Sequence, residues 1–219
     1  MAYRRTENVI RRQHARHDSI IEAAREAAIE GGMAAIQIVP VAARAGVAAG
    51  TVYRYFPGKV DLVGALVESV AEREIEAVRR AADAAPGPLS ALAAAIASFA
   101  GRALQHRRLA WAVTAEPVDA DTDAARQHYR RALADEIAAR IRVAIAAEQL
   151  PEQDASIAAA ALVGAVLEGL IGPLAPAGID EPAKARDAVQ ALMLLALRGL
   201  GVVDARARGL VVQTALPES

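Results

Sequence analysis

Apolar residues recur every three or four positions along most of this chain, which is the period of an α-helix with one buried face. The first such stretch begins after Asp18, a residue type that caps helix N-termini, and ends at Gly32; its apolar positions are Ile20, Ile21, Ala24, Ala27 and Ala28. The pattern then predicts two short helices over 36–46 and 48–55, and a longer helix over about 58–82.

The segment Pro86-Gly87-Pro88 is the strongest break in this pattern, because proline and glycine end regular elements. After it, the pattern predicts further helices at about 89–105, 107–115, 122–149, 153–174 and 181–201. We therefore expect a helical N-terminal domain over residues 16–83 and a helical C-terminal domain over residues 89–203. An arm at 1–15 and a tail at 204–219 flank the two domains.

Composition agrees with an all-α fold. Alanine supplies about a quarter of the chain and aromatic residues only 3%, a balance that favours helix over sheet. The absence of cysteine excludes disulfides, thiolate metal sites and thiol nucleophiles, and it is typical of a protein of the reducing cytoplasm. The apolar stretch 155–177 contains Glu168 and ends in prolines, so we expect a bundle helix there and no membrane span.

Charge is divided unevenly along the chain. The net charge is only -1, yet residues 1–60 hold nine cations and five anions, and the remaining residues carry a net charge of -5. Such polarisation is typical of a protein with one end adapted to polyanions. The basic N-terminal end is therefore the candidate for nucleic-acid contact.

Three residues at i, i+4 and i+10 point to the structure that makes this contact. Ala42 is small, Gly46 tolerates positive φ, and Val52 is apolar. Two helices that cross at a steep angle need a small residue at the crossing, a glycine in the turn and an apolar residue that fastens the second helix to the first. This spacing predicts a helix-turn-helix, whose second helix has a free face for a major groove.

The residues that follow this spacing sharpen the prediction. The hydroxyls of Thr51, Tyr53 and Tyr55 can donate hydrogen bonds to phosphate oxygens. Lys59 stands at a predicted helix N-terminus, where a cation is unfavourable unless an anion shares the site. A DNA phosphate would satisfy both the lysine and the helix end.

The segment from Ala42 to Lys59 resembles the signature of the tetracycline-repressor (TetR) family, and the resemblance covers about residues 16–76. It implies a homodimeric transcription regulator, most often a repressor, that a small effector releases from a palindromic DNA operator. The low aromatic content and the aliphatic residues of the C-terminal helices favour a hydrophobic or amphipathic effector. The helix-turn-helix would span residues 39–58. DNA contacts would then come from Gln37, Arg44, Ala48, Ala49, Gly50, Thr51, Tyr53, Arg54, Tyr55 and Lys59.

Two positions depart from the family pattern. Gln37 and Ala48 precede the two helices of the motif, where the family often has Ser or Thr and Ser or Pro respectively. Both helices therefore lose a side-chain cap, which costs about 1 kcal/mol each. The arginines of the arm either contact DNA or form a solvated tail. A metal site at His14 and His17 is disfavoured against solvated side chains, and we expect no metal and no cofactor.

The resemblance also implies an effector pocket among the middle helices and a dimer interface built from the helices at about 153–174 and 181–201. Candidate pocket residues are the aromatic and polar side chains of this region: Phe99, Trp111, Glu116, His128, Tyr129 and Glu168. For Trp111, core packing is the favoured explanation and pocket lining the alternative. Glu168 lies on a helix that the pattern buries, so we expect it to pair with Arg198 or to meet a ligand.

No catalytic signature occurs in the sequence: the nucleophile elbow, the phosphate-binding loop and the HExxH zinc motif are all absent. We therefore expect a protein that is not an enzyme. The alternative to a DNA-binding regulator is a small-molecule sensor or carrier in which the helix-turn-helix serves only as a scaffold. The basic excess of residues 1–60 favours the regulator.

Overall fold

The computed structural model describes the backbone of residues 2–116, 120–179 and 181–217, and the side chains of residues 9–116, 122–179 and 181–217. Every regular element within these ranges is helical, which confirms the all-α class. The helices are α1 (Ala2–Gly31), α2 (Ile38–Arg44), α3 (Ala49–Tyr55), α4 (Lys59–Asp83), α5 (Pro88–Gln105), α6 (Arg107–Thr114), α7 (Ala120–Ala146), α8 (Ala155–Val166), α9 (Pro182–Gly199) and α10 (Asp204–Gln213). A 3₁₀ turn (Met33–Ala35) follows α1, and a π turn (Leu167–Ile171) extends α8.

The first helix is longer than predicted. The expected start at Asp18 is wrong, because α1 already begins at Ala2 and includes residues 2–15 of the predicted arm. Neither proline nor glycine occurs between Tyr3 and Glu30, so nothing in this stretch interrupts a helix. The Asp18 carboxylate does not cap the helix and instead lies 3.3 Å from Nδ1 of His17. The predicted apolar positions, from Ile20 to Ala28, are buried as expected.

The predicted tail also contains a helix. Residues 204–213 form α10, whose Ala207 and Val211 are buried and which packs against α5 and α9. Asp204 lies in the first turn, where a carboxylate is favourable, and it accepts hydrogen bonds from Arg198 and Arg208. Arg198 therefore pairs with Asp204, and the predicted pairing of Arg198 with Glu168 is wrong.

The N-terminal helices enclose a core of their own. Ile20 from α1, Val41 from α2, Val52 from α3 and Leu66 from α4 are all inaccessible to solvent, and Phe56 closes the end of α3. Helix α4 continues past this core and packs against both α5 and α7. It therefore connects the N-terminal helices to the rest of the molecule through one continuous rod.

Helix α5 is the centre of the C-terminal helices and contacts α4, α6, α7, α9 and α10. It can do so because its buried alanines, including Ala93, Ala97 and Ala100, let neighbouring helices approach on several sides. Leu92 and Ile96 of α5 pack in the same core as Ile137 of α7 and Met193 of α9. Within the described residues, no helix is both long enough and apolar enough to cross a bilayer.

Candidate DNA-binding face and effector cavities

The turn between α2 and α3 has the geometry that the spacing predicts. Ala42 and Val52 are buried, and Gly46 has a φ of 68°. The N–H of Val47 donates to the carbonyl of Ala42 and the N–H of Gly46 to that of Ala43, a Schellman arrangement that requires the left-handed residue. The helix-turn-helix is therefore held from inside by small and branched side chains, and its outer side remains free.

We call this outer side the α2–α3 face. Its members are the residues predicted to contact DNA, all of which reach solvent to some extent. Exposed residues are Gln37, Arg44, Ala48, Gly50, Tyr53, Arg54 and Lys59, whereas Ala49, Thr51 and Tyr55 are half-buried. None of the ten is enclosed by the protein's own helices, so the face is sterically open to a duplex.

Arg44 has a second role that the sequence did not indicate. Its guanidinium donates to both carboxylate oxygens of Glu30, at 2.7 and 2.6 Å, and to Glu26 at 3.3 Å. The hydrogen bonds from Arg44 lower the pKa of the Glu30 carboxyl. Arg44 therefore fastens the end of α2 to α1, and its guanidinium is not free to read bases as predicted unless Glu30 releases it.

The end of α3 rests on α1 through aromatic rings. His17 stacks against Phe56 with ring centroids 5.2 Å apart and meets the edge of Tyr55 at 6.1 Å. The Arg54 guanidinium lies 5.6 Å from the centre of the Tyr55 ring. His17 is thus a packing residue, and in the described part of the chain no cluster of potential ligands suits a metal ion.

Lys59 is the first residue of α4 and its side chain is exposed. One anion already stands near this helix end, because the Asp61 carboxylate accepts the N–H of Gly58 at 2.8 Å. Helices α2 and α3 have no side-chain cap at Gln37 or Ala48, as predicted. The Gln37 amide instead donates to the carbonyl of Ala34 at 3.1 Å.

Two cavities lie among the C-terminal helices. The one that we call the polar cavity measures about 230 Å³ and is bounded by α1, α4, α5, α6, α7 and the π turn. Its charged and polar lining consists of Arg25, Arg73, Glu74, Arg102, His106, Thr114 and Tyr129, and its apolar lining includes Val70, Phe99, Leu109 and Leu167. A mixed lining of this kind is typical of sites that orient a small molecule.

The second, which we call the apolar cavity, measures about 260 Å³ and lies between α5, α7, α8 and α9. Apart from Gln153, its lining is aliphatic, aromatic or glycine, and it includes Ile96, Ile137, Leu162 and Leu192. Phe99 lines both cavities and is the one residue that they share. Phe99 therefore borders both cavities.

The predicted pocket residues fall into two groups. Phe99 and Tyr129 line the polar cavity, but Trp111, Glu116, His128 and Glu168 line neither cavity. His128 and Glu168 are exposed, so the predicted burial of Glu168 is wrong. Trp111 is half-buried at a shallow surface groove beside Arg108. The arginines of the polar cavity, which come from helices far apart in sequence, were not predicted.

Glu116 instead joins the C-terminal helices to α1. Its carboxylate accepts the N–H of Met33 at 3.1 Å, directly after Gly32, whose φ is 68°. A β-carbon on Gly32 would lie 2.9 Å from Oε2 of Glu116. Arg108 of α6 also donates to the Glu30 carbonyl at the end of α1. Helix α6 is therefore tied to α1, whose Glu30 binds the Arg44 side chain. The other side of α6 lines the polar cavity.

Arg126 supports this connection from within. Its side chain is almost completely buried and donates to the carbonyls of Ala112 and Glu116. These bonds fix the C-terminal end of α6 and the start of the segment that follows it. No sequence signal distinguished Arg126 from the many exposed arginines, because burial of a cation depends on carbonyl groups that only the fold brings together.

Helices α8 and α9 share a surface that we call the α8–α9 face. Ile157 is 69% exposed and Leu195 64% exposed, and Ala160, Ala161 and Ala191 are exposed beside them. The opposite side of α9, with Val189, Met193 and Leu197, is buried in the core. Helix α9 is thus apolar on both sides, as the sequence predicted, and one of these sides is uncovered.

Comparison with known proteins agrees with this architecture. Residues 20–66 match the profile described as bacterial regulatory proteins, tetR family. The HTH-type transcriptional repressor KstR of Mycolicibacterium smegmatis is 39% identical over 114 residues, which are 52% of this chain and 55% of that repressor. The chain is thus matched over only about half the length of this curated relative.

Solved structures extend the likeness to most of the fold. The regulator FadR of Bacillus subtilis in complex with stearoyl-CoA superposes with a TM-score of 0.65 at 20% identity, over 90% of this chain and 98% of its own. RolR in complex with resorcinol has a TM-score of 0.65 at 20% identity, over 95% and 98%. These likenesses establish the fold: an N-terminal helix-turn-helix followed by a helical C-terminal domain. The matched profile and the repressor relatives show in addition that residues 20–66 are similar to the N-terminal region of the TetR family of bacterial regulatory proteins.

Proposed function

We propose that this protein is a homodimeric transcription regulator that binds a DNA operator and is released from it by a small effector. The observation that carries this proposal is the open α2–α3 face, where hydroxyl and cationic side chains surround a helix held from within by Ala42 and Val52. Hydroxyls and cations are the groups that contact phosphates, and a helix presented in this way fits a major groove. The name of the mycobacterial relative, a repressor, supports repression as the default activity.

The α8–α9 face supports a homodimer. Large aliphatic side chains such as Ile157 and Leu195 are unfavourable in water, and a second copy would cover them by symmetry. A two-fold dimer places its two recognition helices on successive major grooves, about 34 Å apart along the duplex. The operator would then be an approximate palindrome.

The polar cavity supports effector control. Its walls include α4, which carries the helix-turn-helix, and α6, which is tied to α1 through Arg108 and Glu116. An effector that prefers one position of these helices shifts the population toward dimers whose recognition helices are wrongly spaced. A 100-fold preference corresponds to about 2.7 kcal/mol of coupling.

The test is operator binding by the full-length protein, measured across salt concentrations on the promoter of its own gene. Each phosphate contact contributes about -0.9 to the slope of log affinity against log salt. Lys59→Ala should weaken binding to every DNA sequence and make the slope about 0.9 less steep. If Thr51 reads a base, Thr51→Ala should weaken binding to some DNA sequences more than to others. Lys184→Ala is the matched control, because Lys184 is the only other lysine and lies in α9.

A binding constant that does not change with salt would contradict the proposal. Unchanged affinity in both Lys59→Ala and Thr51→Ala would contradict the assignment of the α2–α3 face. If the protein binds small molecules tightly but no DNA, the alternative holds, and the helix-turn-helix is a scaffold in a sensor or carrier.

A further inference from the structure

The hydroxyl of Tyr129 lacks a partner in an otherwise well-paired region. The Tyr129 side chain is only 3% exposed and lines the polar cavity. Among the described residues, none forms a hydrogen bond with this hydroxyl. The hydroxyl is not a fully enclosed atom without a partner, so it borders the open space of the polar cavity, where a ligand group can complete its hydrogen bonding.

The hydroxyl is a donor under ordinary conditions. Burial, together with the negative charge of Glu74, raises the pKa of Tyr129 well above its usual value. The phenol therefore stays protonated and presents its O–H toward the cavity. Thr114, the other hydroxyl of the cavity, already donates to the Ala110 carbonyl. The ligand group that meets Tyr129 must therefore accept a hydrogen bond.

The charges around the cavity indicate what kind of acceptor fits. Arg102 forms a two-bond pair with Glu74, at 2.6 and 2.8 Å, so these two charges balance. Arg25 and Arg73 both donate to Glu22, at 2.8 and 2.9 Å, so two cations share one anion. The wall therefore carries one positive charge in excess, and an anionic ligand group would neutralise it.

The nearby histidine does not change this balance. Partial burial and the positive charge of Arg25 lower the pKa of His106 below its usual value, so the ring is neutral at pH 7. The remaining lining, including Val70, Phe99, Leu109 and Ile171, is apolar and suits a hydrocarbon body. The cavity of about 230 Å³ has room for roughly eight water-sized groups of about 30 Å³ each.

From these observations, we infer that the polar cavity takes a compact monocarboxylate of about eight or nine non-hydrogen atoms in all: a small apolar body with one carboxylate, which accepts from Tyr129 and faces the Arg25–Arg73 pair. Tyr129 is the specificity residue that distinguishes this group. The inference depends on the proposed function, because it names the chemistry of the effector in the same cavity.

The experiment compares hexanoate and benzoate with hexanamide and benzamide by isothermal titration calorimetry on the full-length protein. Each amide has nearly the shape of its acid but carries no charge. We expect both carboxylates to bind with a Kd at or below about 1 mM, and each amide to bind at least tenfold more weakly. Equal affinity of acid and amide, or no carboxylate binding up to about 10 mM, would overturn the inference.

Two variants on α7 test the role of Tyr129. Tyr129→Phe removes only the hydroxyl, so the fold should persist, and carboxylate affinity should fall about tenfold. His128→Ala is the matched control, because His128 is adjacent in sequence but exposed and outside the cavity. Unchanged carboxylate affinity in Tyr129→Phe would overturn the assignment of Tyr129, and thermal unfolding of each variant identifies any loss of fold.

Operator binding by the same preparations separates the inference from the proposed function. A protein that binds its operator but no carboxylate contradicts the inference alone. A protein that binds carboxylates through Tyr129 but no DNA contradicts the proposed function alone. Loss of operator affinity on addition of hexanoate or benzoate, abolished in Tyr129→Phe, supports both.

Discussion

Two faces of this molecule meet solvent with opposite chemistry. The α2–α3 face exposes hydroxyl, cationic and small side chains such as Tyr53, Arg54 and Gly50, and it keeps its large apolar residue, Val52, inside. The α8–α9 face exposes Ile157 and Leu195 beside alanines. A hydrated polyanion such as DNA requires a polar, cationic surface like the α2–α3 face, whereas a second copy of the protein requires an apolar surface like the α8–α9 face. Because of this difference in surface chemistry, we propose DNA as the partner of the N-terminal end and a second copy of the chain as the partner of the C-terminal end.

The largest effect should come from a charge placed in the α8–α9 face. Leu195→Asp would bury an unpaired carboxylate in the proposed dimer interface, so we expect monomers in sedimentation experiments. Because one half-site alone binds weakly, operator affinity should fall at least 100-fold, about 2.7 kcal/mol. Val212→Asp is the control, since Val212 is equally apolar but lies on α10 and is 81% exposed. A Leu195→Asp dimer with normal operator affinity would show that this face is not the interface.

A medium effect should distinguish the two glycines of the helix-turn-helix, Gly46 in its turn and Gly50 on its second helix. Gly46→Val forces a branched residue into a left-handed conformation and should lower the free energy of unfolding by about 1–2 kcal/mol. Gly50→Ala should raise it by about 0.5–1 kcal/mol, because Gly50 is helical and a β-carbon there meets nothing within 4 Å.

Chemical denaturation measures both changes, and operator binding sharpens the comparison. The added methyl group of Gly50→Ala lies on the proposed recognition helix, so we expect weaker operator binding in a more stable protein. If Gly50→Ala raises stability and leaves operator affinity unchanged, the outer side of α3 does not approach the duplex.

The smallest effect concerns the pair between Arg44 and Glu30. Glu30→Gln removes one negative charge beside the α2–α3 face and releases the Arg44 guanidinium. We expect operator affinity to rise a few-fold and its salt dependence to become steeper, with little change in melting temperature since Glu30 is exposed. Glu152→Gln, an exposed residue between α7 and α8, should leave affinity unchanged. Weaker operator binding in Glu30→Gln would indicate that Arg44 contributes by fixing α2.

The helix-turn-helix could be predicted from sequence because its determinants are local. Ala42, Gly46 and Val52 act within eleven consecutive residues, and the turn geometry requires a left-handed residue at one position. The effector cavities have no such local determinants. Arg25, Arg73 and Arg102 come from three helices, and no spacing rule relates them. The cavity could be anticipated only through single aromatic residues such as Phe99 and Tyr129.

The wrong prediction for Glu168 has a physical cause. Glu168 was expected to be buried because small and apolar residues surround it in the sequence, but it lies in the π turn that extends α8, on the same exposed side as Ala161. In an alanine-rich helix, the hydrophobic pattern is too uniform to reveal which side meets the core. Neighbouring residues can then differ completely, as buried Tyr129 and exposed His128 do.

The position of Phe99 bears on the ligand range of this protein. Phe99 is the one residue that lines both the polar cavity and the apolar cavity. A smaller amino acid at this position would add space to both cavities and leave the rest of each lining in place. Residue 99 is therefore the first site at which an engineer of biosensors would vary this chain to accept bulkier compounds.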